Sequence, residues 1–403
     1  MSDSTKLTQS KYYSCQYINK RNMVVADNPL NFWVCCERNR GLKDAPVIKC
    51  QDTPKQTIES FLEMLKKVVA EGYLPLDSGE RVFTKDCVKC KYYKPDNWEN
   101  DGLINNINFS MYPSPCNGRC SYCSNVRNNL TGFEHFKKKE VIELYEKAFD
   151  TIDYALKNGA ISPNVSWEIA TGEITVHPFK DRIYDLIGSS TCMFLSNFFK
   201  FDERIAENLA QNPNSGMIFS IDAGTPQTWH KIKGFDNFHG VLENMARYRK
   251  AALKDNQINL KYIICLGIND SDEEFTEVIK IIKENGLKKI QISRDLHFMN
   301  KSVEIDEMVI HAAARFYVLL NKNQLTCNYY NFTPPQWEKV VSSANELLLE
   351  KDAPKSDINE EPTPTLPDTS LSNKNKTLKS ILKPIVLKSK ILTFIYYRLI
   401  KRC

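Results

Sequence analysis

From about residue 105 the chain alternates short runs of β-branched and aromatic residues with longer stretches whose apolar positions recur every three to four residues. The short runs, bounded by polar turns, read as buried strands, and the longer spacing reads as amphipathic helix. The clearest helix covers 137–157, where Val141, Leu144, Tyr145, Ala148, Ile152 and Ala155 share one face. Strands are expected at 107–111, 165–170, 192–196, 217–221, 258–266 and 289–292, with further helices at 181–187, 202–211, 238–253, 273–285 and 304–320. Parallel neighbours need a crossover between them, so this alternation predicts a parallel sheet. Six units predict an α/β fold, a partial (β/α)6 TIM-like barrel over 105–325 that stops short of eightfold closure.

Outside that region the pattern changes. Residues 1–104 hold Cys15, Cys35, Cys36, Cys50, Cys87 and Cys90 and are expected to form a cysteine-containing module. Residues 326–350 are a short Tyr- and Pro-containing extension. Residues 351–376 are rich in Pro, Ser, Asp, Asn and Thr with almost no apolar content, which predicts a disordered linker. In 377–403, Leu378, Ile381, Leu382, Ile385, Leu392, Ile395 and Leu399 recur at helical spacing among lysines, interrupted at Pro384. That is a basic amphipathic helix, too often broken by lysine for a transmembrane span. It suits either an interfacial helix drawn to an anionic membrane surface or a tail that packs on the body or a partner.

Charge sharpens this division. The chain carries +5, but residues 376–403 hold eight basic residues and no acid, which leaves −3 for the rest. There is no broad basic face, so nucleic acid is not an expected partner. The first thirty residues are polar and lack an apolar signal core, so the expected location is cytoplasmic, peripheral at the inner face of the membrane through the tail. Thirteen cysteines in such a setting argue for metal ligation rather than disulfides.

The strongest chemical signal is Cys116-Asn-Gly-Arg-Cys-Ser-Tyr-Cys123, a C-x3-C-x2-C loop directly after the first barrel strand. Three thiolates on one short loop can hold three irons of a 4Fe-4S cubane, which leaves the fourth iron open. Gly118 lets the loop turn tightly, and Tyr122 precedes the last cysteine. Strand two ends in Ala170-Thr-Gly-Glu173, strand three in Ser196-Asn197, and strand four in Ser220-Ile-Asp222-Ala-Gly-Thr225. Strand five leads to Leu266-Gly-Ile-Asn-Asp270, and Arg294 follows strand six. In parallel barrels such strand ends carry function. The six histidines form no cluster.

Taken together, these motifs resemble the radical S-adenosylmethionine (SAM) enzymes over roughly 105–325. The resemblance implies that the open iron is chelated by SAM, which one electron cleaves to methionine and a 5′-deoxyadenosyl radical that abstracts hydrogen from a substrate. It implies Cys116, Cys120 and Cys123 as cluster ligands and Tyr122, Gly172, Glu173, Ser196, Ser220, Asp222, Gly267 and Arg294 as cofactor contacts. Glu173 would receive SAM's ammonium, with Thr171 replacing the family's first glycine. Ser220 and Asp222 would meet its ribose and carboxylate, and the Gly267 turn its adenine. An electron donor such as flavodoxin or ferredoxin is implied as partner.

The N-terminal cysteines look like the start of the SPASM/Twitch modules that carry auxiliary iron–sulfur clusters, although those modules normally follow the barrel. The expected ligands of a second iron–sulfur cluster are Cys15, Cys35 or Cys36, Cys87 and Cys90, with Cys50 as substitute. A structural zinc site or unligated thiols suit the same residues. Three readings of the whole chain follow. One is a radical SAM enzyme acting on a sugar or surface-polysaccharide intermediate at the membrane. The others are a peptide- or protein-modifying maturase and a non-catalytic iron–sulfur electron-transfer protein.

Overall fold

The computed structural model describes residues 12–26, 29–35, 46–72, 94–96, 102–295 and 302–352. The expected tail at 377–403, nearly all of the linker, and Cys36, Cys87 and Cys90 lie outside the described residues. The strands are β1 (Tyr12–Ser14), β2 (Asn22–Ala26), β3 (Asn31–Trp33), β4 (Ile48–Lys49), β5 (Lys94–Asp96), β6 (Ile104–Ser110), β7 (Ile161–Ile169), β8 (Thr191–Ser196), β9 (Gly216–Ser220), β10 (Ile258–Ile264), β11 (Lys289–Arg294) and β12 (Thr326–Tyr330). β1 and β5 pair with each other, and the rest form a ten-stranded sheet in the order β12-β11-β10-β9-β8-β7-β6-β2-β3-β4.

From β6 to β12 spatial order follows chain order, and every pair is parallel. Each crossover therefore steps the same way and leaves its helix on the same face of the sheet. On that face Phe109, Trp167, Phe194, Phe219, Tyr262 and Ile292 join helix residues such as Tyr145, Leu209, Met245 and Phe316 in one core. Alternate residues point to the other face, where Glu168, Met193, Ile218, Lys261 and Gln291 are only half-buried. The result is a mostly parallel α/β sheet, as a partial barrel requires.

The six expected strands and their helices are all present, with ends displaced by about four residues at most. Three features differ from expectation. The parallel run has a seventh strand: β12 extends the sheet beside β11, so 326–350 is more than an extension. It is followed by helix Pro334–Asp352, whose Trp337 packs on Tyr317, Tyr329 and Phe332. Secondly, the sheet does not stop at 104/105, because β2 pairs parallel with β6 in the register Val24↔Asn108. A five-residue apolar run among cysteines is too short to announce a barrel neighbour.

The third is helix Pro226–Lys233, where no element was expected. Its caps were visible: Thr225 accepts the N–H of Thr228, Pro226 opens the helix, and Gly234 closes it at φ +72. Its start is pinned by Glu274 of helix Asp272–Glu284, which accepts from Gly224 N–H at 2.7 Å and from the hydroxyls of Thr225 and Thr228. A Cβ at Gly224 would stand 2.6 Å from Glu277 Cβ, so only glycine allows that approach.

Candidate active site

The cysteine loop leaves β6 and is clamped by the turn after β7. Thr171, the residue that replaces a glycine in the expected motif, donates its hydroxyl to the Met111 carbonyl at 2.6 Å. Gly172 adopts φ +39, and a Cβ there would lie 2.4 Å from the Pro115 carbonyl oxygen and 2.5 Å from Ser114 Oγ. Glu173 N–H then donates to Pro115 O at 2.9 Å. Glycine is required at 172 by close approach of the loop backbone as well as by its torsion.

Within the loop the three thiols are half-buried. A Cβ added at Gly118 would stand 3.5 Å from both Cys116 Sγ and Cys120 Sγ and 3.6 Å from Asn197 Nδ2, so these three groups gather around that position. Cys123 acts electrostatically on both of the other thiols. Burial pushes the Cys116 thiol up to about 12, helped by the negative charge of Glu173. Thiols held neutral in this way need a cationic partner before they ionise, as iron would provide.

Glu173 has no exposed surface. Its carboxylate accepts from Thr175 N–H and hydroxyl, from Ser196 Oγ, and from Asn197 N–H at 2.6 Å. Burial raises its pKa, and these donors hold it back. The carboxylate expected to receive SAM's ammonium thus accepts the backbone and hydroxyl donors that position Asn197. Asn197 in turn aims its amide at Asn117 Oδ1, 3.0 Å away, and at Cys116 Sγ, 3.8 Å away. Ser196 is likewise engaged with Glu173 rather than open to a ligand.

A second buried group lies under Cys120. Asp222, also without exposed surface and at φ +47, accepts from Lys233 Nζ at 2.6 Å, from the Tyr122 hydroxyl at 2.7 Å and from Ile263 N–H at 2.7 Å. Lys233 Nζ also donates to the Tyr122 hydroxyl at 2.8 Å. Asp222, expected at the ribose or carboxylate of SAM, thus has partners on both of its oxygens. Tyr122 keeps a half-buried ring beside the loop while its hydroxyl is engaged below. Lys233 was not expected in the site. Its sequence signal is its place in Lys231-Ile-Lys-Gly-Phe-Asp-Asn-Phe238, a segment that resembles the radical SAM continuation after strand four.

The remaining candidates divide. Ser220 ends β9 half-buried, and Gly267 is exposed at φ +74 with its N–H on Asp270. Arg294 is buried and paired with Asp306. In the N-terminal region, Cys15 Sγ accepts the N–H of Ile18 at 3.4 Å. Cys50 N–H donates to Leu30 O before β3, and Cys35 follows Val34 after it.

The donor set fits a cubane better than a single ion. Among the described residues no group of three His, Cys, Asp or Glu side chains could hold one metal ion. A cubane puts each thiolate on a different iron, so its three sulfurs stand farther apart than the ligands of one ion.

Residues 114–282 match the radical SAM superfamily. The chain carries a radical SAM domain and is an enzyme. Its structure is similar to that of SuiB from Streptococcus suis bound to S-adenosylmethionine (10% identity, 79% of this chain and 73% of that chain, TM-score 0.43). It is also similar to a radical SAM methyltransferase from Sphaerobacter thermophilus (16% identity, 57% and 66%, TM-score 0.35) and to methylornithine synthase (11% identity, 60% and 68%, TM-score 0.37). No curated protein matches the sequence closely enough to count as a relative.

Proposed function

We propose that Cys116, Cys120 and Cys123 hold a 4Fe-4S cluster whose open iron takes SAM, and that the enzyme uses it to abstract hydrogen from a polar substrate. The observation that carries this is the pair of sulfurs converging with the Asn197 amide on the space at Gly118. When bound, the cluster supplies one electron, drawn from a flavodoxin or ferredoxin, to cleave SAM into methionine and a 5′-deoxyadenosyl radical. The chain's own residues do the rest. Thr171 and Gly172 fix the loop, Asn197 directs a donor at Cys116, and Ser220 and Gly267 offer SAM's nucleoside contacts at the strand ends. Anaerobically reconstituted protein should release 5′-deoxyadenosine under a strong reductant, and Cys120→Ala should not. A filled cluster without cleavage would remove the assignment.

The substrate reading rests on the face away from the helices. Ser220, Lys261, Gln291 and Asn328 stand in register on adjacent strands β9 to β12, all half-buried. Lys261 Nζ lies 5.4 Å from the Tyr330 ring centroid. A row of donors and acceptors beside an aromatic ring suits a hydroxyl-rich sugar, such as a surface-polysaccharide intermediate. Trapping a substrate radical by electron paramagnetic resonance with candidate sugars tests it, and only peptides giving a signal would overturn it.

A second cluster at Cys15, Cys36, Cys87 and Cys90 is part of the proposal, supported by the amide that Cys15 Sγ accepts as iron-bound thiolates do. About eight irons per chain supports it, and about four removes it. The tail at 377–403 is proposed to meet anionic lipid, and no helix among the described residues is long and apolar enough to cross a membrane. Equal binding to anionic liposomes by the full chain and by one ending at 376 would exclude that role.

A further inference from the structure

Lys233 is the last residue of helix Pro226–Lys233 and is 1% exposed. Its carbonyl accepts Arg119 N–H at 2.7 Å, and that of Ile232 accepts Ser121 N–H at 2.8 Å, so the helix end is stapled to the loop on both sides of Cys120. Gly234 closes this contact, because a Cβ there would stand 2.7 Å from Arg119 Cβ. The staple carries the Lys233 ammonium to Asp222 and the Tyr122 hydroxyl beneath Cys120. A fold anchor alone has no need of an ion pair here, since apolar residues fill a buried space at lower desolvation cost.

We propose that Lys233 is a positioning residue for electron entry: its fixed charge under Cys120 stabilises the cluster's reduced state, and Asp222 sets how far. The inference rests on the cluster assignment above. The step is a one-electron reduction in which an external low-potential donor is oxidised, the cluster's charge falls by one, and no bond forms or breaks. Cluster potential depends on nearby net charge and on hydrogen bonds, and a buried ammonium favours the form carrying the extra negative charge.

The test is a dithionite titration of the reconstituted full chain without SAM, followed by electron paramagnetic resonance. Lys233→Met should lower the midpoint potential, cutting the reduced fraction at fixed potential about tenfold, equivalent to about 59 mV for a one-electron couple. Asp222→Asn should move it the other way, Lys233→Arg should restore the wild-type value, and the double variant K233M/D222N should lie near it. A merely structural role would not give opposite signs. Iron and sulfide content separates the two levels of failure. A wild-type chain that takes up no cluster sinks the site assignment, and loaded variants with unmoved potentials sink only the role of Lys233. Where Lys233→Met does not accumulate, Asp222→Asn alone decides: an upward shift supports the proposal and any other result overturns it.

Discussion

Two carboxylates without exposed surface lie beneath the cysteine loop, and they are held in opposite ways. Glu173, on the Cys116 side, is met by hydroxyls and backbone amides alone. Asp222, on the Cys120 side, is met by an ammonium, a phenol and an amide. Hydrogen bonds from neutral donors can satisfy a buried carboxylate, but they leave its charge uncancelled. That charge reaches Cys116 and raises its pKa, whereas at Cys120 the lysine opposes it. One loop thus sits over an uncompensated anion at one end and a compensated one at the other.

The largest test of this contrast removes the compensated carboxylate. Asp222→Ala strands the Lys233 ammonium in a buried site and should cost about 3–5 kcal/mol in chemical denaturation. Asp222→Asn paired with Lys233→Met should recover most of that loss, because the charge is removed from both partners. Glu173→Gln is expected to cost less, about 2 kcal/mol, since the rotatable hydroxyls of Thr175 and Ser196 can reorient and only fixed amide donors lose their acceptor. Equal losses for Asp222→Ala and Glu173→Gln would break the contrast.

Much of this arrangement was legible in the sequence, and the illegible part has a common cause. The cysteine spacing and the strand-end motifs marked the loop, Gly172 and Glu173, which the fold brings together, because each is contiguous in the chain. The partners were not legible, because they come from distant elements. Lys233 reaches Tyr122 across the whole of β7 to β9, and Asn197 reaches Cys116 from the end of β8. Motif position also did not reveal saturation. Glu173 and Asp222 sit where cofactor contacts were expected, yet neighbouring donors already occupy their oxygens. Besides helix Pro226–Lys233, the fold was missed at its margins. β2 is short, β12 is a polar edge strand, and neither shows a clear two-residue alternation.

The smallest expected effect concerns how the Cys116 side answers to acid. His177 is buried four residues beyond Glu173, where its Nδ1 accepts Phe179 N–H at 3.1 Å and its Nε2 meets the Tyr145 hydroxyl at 3.2 Å. That hydroxyl donates to Pro113 O at 2.8 Å, so the histidine supports the loop's entry. Burial lowers its pKa to about 3 from an ordinary 6.5. Below pH 6.5 the unfolded chain binds a proton there that the folded chain refuses, so stability falls as pH falls, by about 1.4 kcal/mol per unit while the gap persists. Glu173 pulls the other way, because its raised pKa makes folding less favourable as pH rises above the ordinary carboxylate range. Comparing wild type with His177→Asn isolates the histidine, since Asn can keep the acceptor for Phe179 N–H. Between pH 6.5 and pH 5 the wild type should lose about 2 kcal/mol more than the variant in anaerobic urea titrations. Parallel curves would mean that the loop entry stays open enough to hydrate the imidazole. The Cys116 side would then owe its shape to Glu173 and Gly172 alone.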